Sequence, residues 1–385
     1  MKLPDAQDIL PQNTPRAIAL FWLEYWFCFF AFVPLILMRQ CVVSAINLLT
    51  AVWTWNARPD LVNGSVRLVF LSNLKTLLAT IIFGERFVAI HHKDVLIDPG
   101  PVVVRRCIDR YVRDQGRDAF DAIVATHWHE EHVGNVEFLA RRCGCPAYGT
   151  RITLDAMNKP ERLSLPRRKL MGQPQRAAAG ADLRELAQTL HTEHATLEVF
   201  RSDGHCRGHA SLYDAERKTL FCGDSFMHTI FTAPNRDDCC EHWVRTLRTY
   251  ACLDIRTMVC GHGQVFSLDP DDRRIPFVTV RQDPNMLIRE KLSFTQWAQS
   301  VVREAEARGL PYSVIEACVF PWRGAWSSRN WFGDEAARLF SCGEFSRTQL
   351  IRSLSATPQN VPPRFGRLWR FASRWFVYTE QSDAE

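Results

Sequence analysis

His127, His129, Glu130, Glu131 and His132 crowd five metal-ligand side chains into six residues. Neutral imidazole nitrogens and carboxylate oxygens are ligands for zinc, manganese or iron. The apolar run Ala122, Ile123, Val124, Ala125 precedes them and reads as a buried strand. Val136 to Arg142 then starts an amphipathic helix that Asn135 is placed to cap. At a strand end the chain turns into a loop, so ligands at this spacing can converge on one point above the sheet edge. A chance surface cluster would have to coincide with the strand before it and the helix after it.

Three later segments have the same character. They are DGHCRGHASLY from Asp203 to Tyr213, LFCGDSF from Leu220 to Phe226, and MVCGHGQVF from Met258 to Phe266. Each sets a histidine or aspartate beside glycine and close to an apolar run: His205 and His209, then Asp224, then His262. Glycine lets the backbone turn tightly enough for a ligand to reach a shared centre. Four such segments are far more specific together than any one alone.

The set H-x-H-x-[D/E]-H, G-H, G-D and G-H-G, with VLIDPG at Val95–Gly100, resembles the metallo-β-lactamase-fold hydrolase superfamily over about residues 66–266. The resemblance implies an α/β chain folded as a four-layer αββα sandwich, with the metals at one edge of its two sheets. Carried over, it makes His127, His129 and His205 the ligands of a first metal and Glu131, His132 and His262 those of a second. Asp224 would bridge the two, and Asp98 would position ligands from behind without binding metal itself. His209 matches no ligand position and is expected to face the sheet interior as a hydrogen-bonded histidine. Cys222 reads as a strand residue, so the cysteine ligand of some true β-lactamases is not evident. That weighs against antibiotic hydrolysis.

Glu131 departs from the family's shorter aspartate. Its additional methylene moves the carboxylate by roughly 1.5 Å, whereas metal–ligand distances tolerate only tenths of an ångström. Glu131 therefore binds the second metal with backbone or rotamer compensation, reaches it through water, or leaves that site weak.

The chemistry expected is hydrolysis by a metal-bound hydroxide. Two divalent ions, zinc first and manganese or iron as alternatives, would sit about 3.5–4 Å apart, lower the pKa of a shared water and polarise the scissile group. Glu131 and Asp224 are the catalytic candidates: Asp224 holds the metal pair, and Glu131 takes the water's proton. The substrate would be an ester, thioester, lactone or phosphodiester, lipid-like if the N-terminus meets a bilayer. Two rivals stay open. One is a mononuclear iron dioxygenase acting on a sulfur substrate, which a lost second site would favour. The other is a membrane-tethered scaffold without enzymatic activity.

The elements around these motifs divide the 385 residues into four parts. Residues 1–60 form an apolar N-terminal segment, a membrane-anchor candidate. Residues 61–270 form the catalytic domain, 271–362 a helical C-terminal region, and 363–385 a basic, aromatic tail. Ala17 to Met38 is apolar all round, about 33 Å if helical, and is interrupted by Glu24 and Pro34. After Arg39 a second apolar stretch runs from Cys41 to Trp55. One spanning helix, a hairpin and a cap packed on the rest of the chain all fit this pattern. No secretory cleavage pattern is visible. Arginines interleaved with aromatics from Arg364 to Tyr378 suit a membrane interface, a partner or the protein's own core equally.

Val66–Leu71 and Phe87–Ile97 read as strands, and Lys159–Ala181, rich in Pro, Arg, Gly and Ala, as a long loop or lid. Ser211–Tyr213 and Leu220–Cys222 read as a strand pair. Thirteen cysteines at irregular spacing suit reduced thiols, which places the catalytic domain on the cytoplasmic side of a membrane. A net charge of +5 gives no basic groove of the kind a nuclease needs, so no nucleic-acid partner is expected. Trp322, Trp326, Trp331 and Phe332 are candidates to wall an apolar pocket, or to pack a core. His91, His92, His191, His194, His228 and His242 read as structural or solvated.

Overall fold

The computed structural model describes residues 5–227, 237, 239–320, 338 and 346–355. His228, the four C-terminal aromatics Trp322, Trp326, Trp331 and Phe332, and the tail from Arg364 to Tyr378 lie outside the described residues.

Each half of the sandwich is one continuous stretch of chain. The first sheet runs in sequence order through β1 (Asp60–Leu61), β2 (Val66–Phe70), β3 (Val88–His92), β4 (Val95–Ile97), β5 (Ala122–Val124), β6 (Ala147–Gly149) and β7 (Leu183–Glu185). The second runs through β8 (Thr189–His191), β9 (Thr196–Arg201), β10 (Ala210–Asp214), β11 (Thr219–Gly223), β12 (Thr257–Cys260), β13 (Val265–Ser267) and β14 (Thr279–Val280). The second sheet thus continues past residue 270, where the sequence reading ended the domain.

Side-chain alternation along the strands builds the layers. In β4 and β5, Val95, Ile97, Ala122 and Val124 enter the core between the sheets, while Leu96 and Ile123 face helices on the outside. In β11 and β12, Phe221 and Val259 face inward, while Leu220, Cys222, Met258 and Cys260 meet the helices of the other outer layer. Both faces of these strands are apolar, as strands covered on both sides require. Helices Arg105–Gln115 and Val136–Cys143 cover the first sheet; Cys240–Ala251 and Pro284–Ala307 cover the second. The result is the αββα sandwich, with further helices at Tyr312–Val319 and Arg347–Leu354.

Three local expectations are corrected, and one of the alternatives left open for the N-terminus is excluded. Phe87–Ile97 is not one strand but the antiparallel pair β3 and β4, turned at Lys93 and Asp94. Lys93 takes φ 55° there, a turn conformation that no Gly or Pro announces. Asn135 occupies the N-cap position of Val136–Cys143, yet its side chain makes no capping bond. Its Nδ2 instead donates to the carbonyls of Pro99, Gly100 and Pro101 at 3.3, 3.0 and 2.7 Å, and its Oδ1 accepts from Arg105 Nε at 2.9 Å. The segment 159–181 is not all loop, because Leu165–Met171 is helical. The apolar N-terminus is not a hairpin: Pro15–Asn56 is one 42-residue helix that continues through Pro34 and Arg39. Within it, Val33–Asn56 is long and apolar enough to cross a membrane by length and composition.

Candidate metal centre

Parallel pairing places the ligands. β4 and β5 run in parallel, as do β11 and β12, so Asp98, the 127–132 motif, Asp224 and His262 all leave the sheets at the same edge. β10 begins at that edge, just after His205 and His209. Backbone bonds tie the exits together: Asp98 N–H to Val124 O at 2.9 Å, Ala210 N–H to Thr126 O at 2.8 Å, and Gly261 N–H to Gly223 O at 2.8 Å.

Three imidazole nitrogens meet at one point. His127 Nε2 and His205 Nε2 each lie 3.1 Å from His129 Nδ1. Ligands on a tetrahedral zinc at 2.0–2.1 Å stand about 3.3 Å apart, so this triangle fits one cation. Beside it, Glu131, His132, Asp224 and His262 bring donor atoms within 4.8 Å of one another. Asp224 Oδ2 lies between the two groups, 3.7 Å from His205 Nε2, 3.4 Å from His132 Nε2 and 3.3 Å from His262 Nε2. Its other oxygen, Oδ1, is buried with no hydrogen-bond partner among the described residues. A buried carboxylate oxygen without a donor is costly, and a cation removes that cost.

The ligands are oriented from behind. His262 Nδ1 faces Arg86 O at 2.8 Å, and His132 Nδ1 faces Asp98 Oδ2 at 2.9 Å, which turns both Nε2 atoms to the site. Asp98 holds φ 50° and accepts the N–H and Oγ1 of Thr126 at 2.8 and 2.7 Å. His209 does not join the triangle. Its Nε2 accepts the Asp224 N–H at 3.1 Å and its Nδ1 meets Ser202 Oγ at 2.7 Å, so it holds the backbone of Asp224. Gly261 leaves the space Asp224 needs, because a Cβ there would lie 2.4 Å from Asp224 Oδ1.

Charge follows burial and Asp224. Burial holds His127 and His205 well below the usual histidine value, and His209 down to about 4. Burial alone would also lower His132 and His262, but carboxylates outweigh it and raise both: Asp224 with Asp98 at His132, and Asp224 with Glu85 at His262, which rises to about 10. Carboxylates beside His132 and His262 thus favour a positive charge, proton or cation, on that side of the cluster.

The sequence motifs alone did not reveal several neighbours. Cys206 is buried, and its sulfur lies within 4.8 Å of donor atoms of His127 and His129. Its only signal is its place beside His205. Half-buried Glu85 interacts with His262, Glu131 and Asp224, and it follows a helix end with no motif of its own. Asp237 reaches 3.8 Å from His129 Nε2. Glu130 turns away from the cluster and binds Arg167 of the 159–181 segment through two bonds, at 2.8 and 2.6 Å. Of the other histidines, His91 meets Tyr111 OH at 2.7 Å and His92 meets Asp214 at 2.9 Å, both structural.

The metallo-beta-lactamase superfamily profile matches residues 87–262, the stretch that carries all of these donors. The chain carries a metallo-beta-lactamase superfamily domain. Its fold is that of a metal-dependent hydrolase, with a histidine and aspartate cluster at the expected sheet edge.

Solved structures with similar folds include the following three. A metallo-beta-lactamase family protein from Thermus thermophilus is 18% identical, covering 71% of this chain and 88% of that one at a TM-score of 0.45. A metallo-beta-lactamase from Pontibacter korlensis is 18% identical over 62% of this chain and 98% of that one, TM-score 0.41. The BLEG-1 B3 metallo-beta-lactamase is 23% identical over 52% and 88%, TM-score 0.38.

Proposed function

We propose that this superfamily domain is a membrane-associated, dinuclear metal-dependent hydrolase of an ester, thioester, lactone or phosphodiester, with a lipid-like substrate and zinc as the first choice of metal. His127, His129 and His205 would hold one cation, Glu131, His132 and His262 the other, and Asp224 both. The observation that carries this reading is the position of Glu131 within 4.8 Å of the other three donors of its group. The longer side chain is accommodated at the second group, which favours two cations over the single iron of the dioxygenase reading.

Bound divalent ions at such a site supply Lewis acidity, activating water at neutral pH and polarising the substrate oxygen. The chain's residues do the rest. Asp224 and the oriented Nε2 atoms of His132 and His262 fix the geometry. Glu131 accepts the proton of the attacking water and delivers it to the leaving oxygen or sulfur as the scissile bond breaks. No serine or cysteine nucleophile is required. The cavity of about 270 Å³ beside Trp128 and Glu130 is lined by none of the donor residues, so it is assigned no part in this step.

The test is elemental analysis of protein purified without added metal, paired with a screen of thioesters, lactones and phosphodiesters. About two equivalents of zinc or manganese support the reading. One equivalent of iron overturns it in favour of the oxygenase. Activity that survives His129→Ala overturns the mechanism.

A further inference from the structure

Helix Pro15–Asn56 touches the body of the protein near both of its ends, on one face. Near its start, Ile18, Phe21 and Trp22 pack on the helices that cover the second sheet, and Tyr25 lies near Glu316 and Arg347. Near its end, buried Ala51 and Thr54 lie on the same stripe as Asn47, which bonds Ile81 O at 3.3 Å in the neighbouring helix Leu74–Phe83. Ser72 Oγ donates to Thr54 O at 2.9 Å, and Trp53 packs edge-on against Phe70, ring centroids 5.0 Å apart. From Tyr25 to Asn47 is 22 residues, about six helical turns, so both footings share one face.

The footings stand about 38 Å apart by the rise of the helix from Trp22 to Asn47, and both rest on one continuous sandwich. A helix crossing a hydrocarbon core of about 30 Å would carry its two ends to opposite sides of it. Docking at both ends on the same body excludes that path.

The outward face is apolar along its length. Of the 21 large hydrophobic residues exposed among those described, 14 lie on this helix, including Leu23 (69%), Phe27 (71%) and Phe30 (69%). Leu74 and Leu78 of the adjoining helix extend the surface. Exposed Arg16, Arg39, Arg58 and Lys75 lie on the same two helices or just beyond them, against one acidic residue, Glu24. That balance fits anionic headgroups, and the apolar face fits acyl chains.

We propose that helix Pro15–Asn56 lies in the plane of one leaflet of an anionic membrane, sinking its outward face together with Leu74 and Leu78, and does not cross the bilayer. This rests on the membrane association proposed above and adds its geometry. Helix Leu74–Phe83 runs directly into Gly84, Glu85 and Arg86, and Arg86 O holds His262. The anchored surface therefore adjoins the metal cluster, so an acyl substrate reaches it from the leaflet.

The test uses the full chain with an N-terminal epitope tag, in right-side-out and inverted membrane vesicles from expressing cells. Protease should remove the tag and digest the catalytic domain in the same vesicle orientation. Digestion of tag and domain in opposite orientations overturns the in-plane path while leaving the association intact. Recovery in the soluble fraction without detergent, as a monomer or as a dimer of this chain, overturns both. The double variant Phe27→Glu, Phe30→Glu should release the protein from vesicles of phosphatidylcholine and phosphatidylglycerol by tenfold or more, with metal content unchanged. Undiminished binding by a variant with normal metal content overturns the proposal.

Discussion

Asp98 Oδ2 sits 2.9 Å from His132 Nδ1, and the same carboxylate takes the Thr126 N–H and hydroxyl. One residue thus fixes both the strand exit that leads into the motif and the ring that presents Nε2 to the second group. Asp98→Asn keeps the shape and removes the charge. Metal affinity should fall about 10–100-fold with the fold intact, as read by competitive chelator titration alongside circular dichroism.

Glu131 is half-buried and reaches His132, Asp224 and His262. Glu131→Ala should lower metal content from about two equivalents to about one, because the triangle of His127, His129 and His205 does not depend on it. Elemental analysis checks this. Loss of both metals would mean that the two groups do not fill independently.

How much of this was legible follows from what each residue needed. The triangle was readable because His127, His129 and His205 each sit beside a strand end, and strand ends show as apolar runs broken by Gly or Asp. His209 was set aside because His205, not His209, matches the ligand position in the resemblance; one residue from β10, it holds the Asp224 backbone instead. Glu85 and Asp237 were invisible, because their relation to the cluster depends on long-range packing and not on spacing. The Lys93 turn was hidden because neither Gly nor Pro marks it, only the polar stretch His91 to Asp94 between two short apolar runs. The Asn135 side chain looked like a cap, but three loop carbonyls compete for the same amide.

Arg167 bridges the 159–181 segment to buried Glu130 with a two-pronged ion pair. Arg167→Ala leaves that carboxylate buried without its cation and should cost about 3 kcal/mol. Thermal or urea unfolding measures it, and Glu130→Gln in the same background should recover part of the loss.

At the edge of the sandwich opposite the metals, Asp214 joins the sheets through His92 at 2.9 Å and Lys93 at 3.2 Å. Burial pushes the Asp214 carboxyl up, but hydrogen bonds from His92, the Arg217 N–H and Lys93 outweigh it, leaving it well below its ordinary 3.8. A depressed carboxyl stabilises the fold fully above its unfolded value, and that contribution is lost as pH falls through the folded one. Asp214→Asn should therefore cost about 2 kcal/mol at pH 6. The gap between variant and parent should narrow only below about pH 4, as followed by denaturant unfolding across pH.

Each donor group draws two side chains from the first half of the chain and one from the second, with Asp224 shared: His127 and His129 with His205, Glu131 and His132 with His262. Covalently, the halves are joined only by the short link between β7 and β8. Severed there, neither fragment would own a complete cage, and a cation could be gripped only when the fragments found each other. Metal capture by the pair would then act as a reporter of reunion, and the ion itself as the rivet that closes one slab against the other.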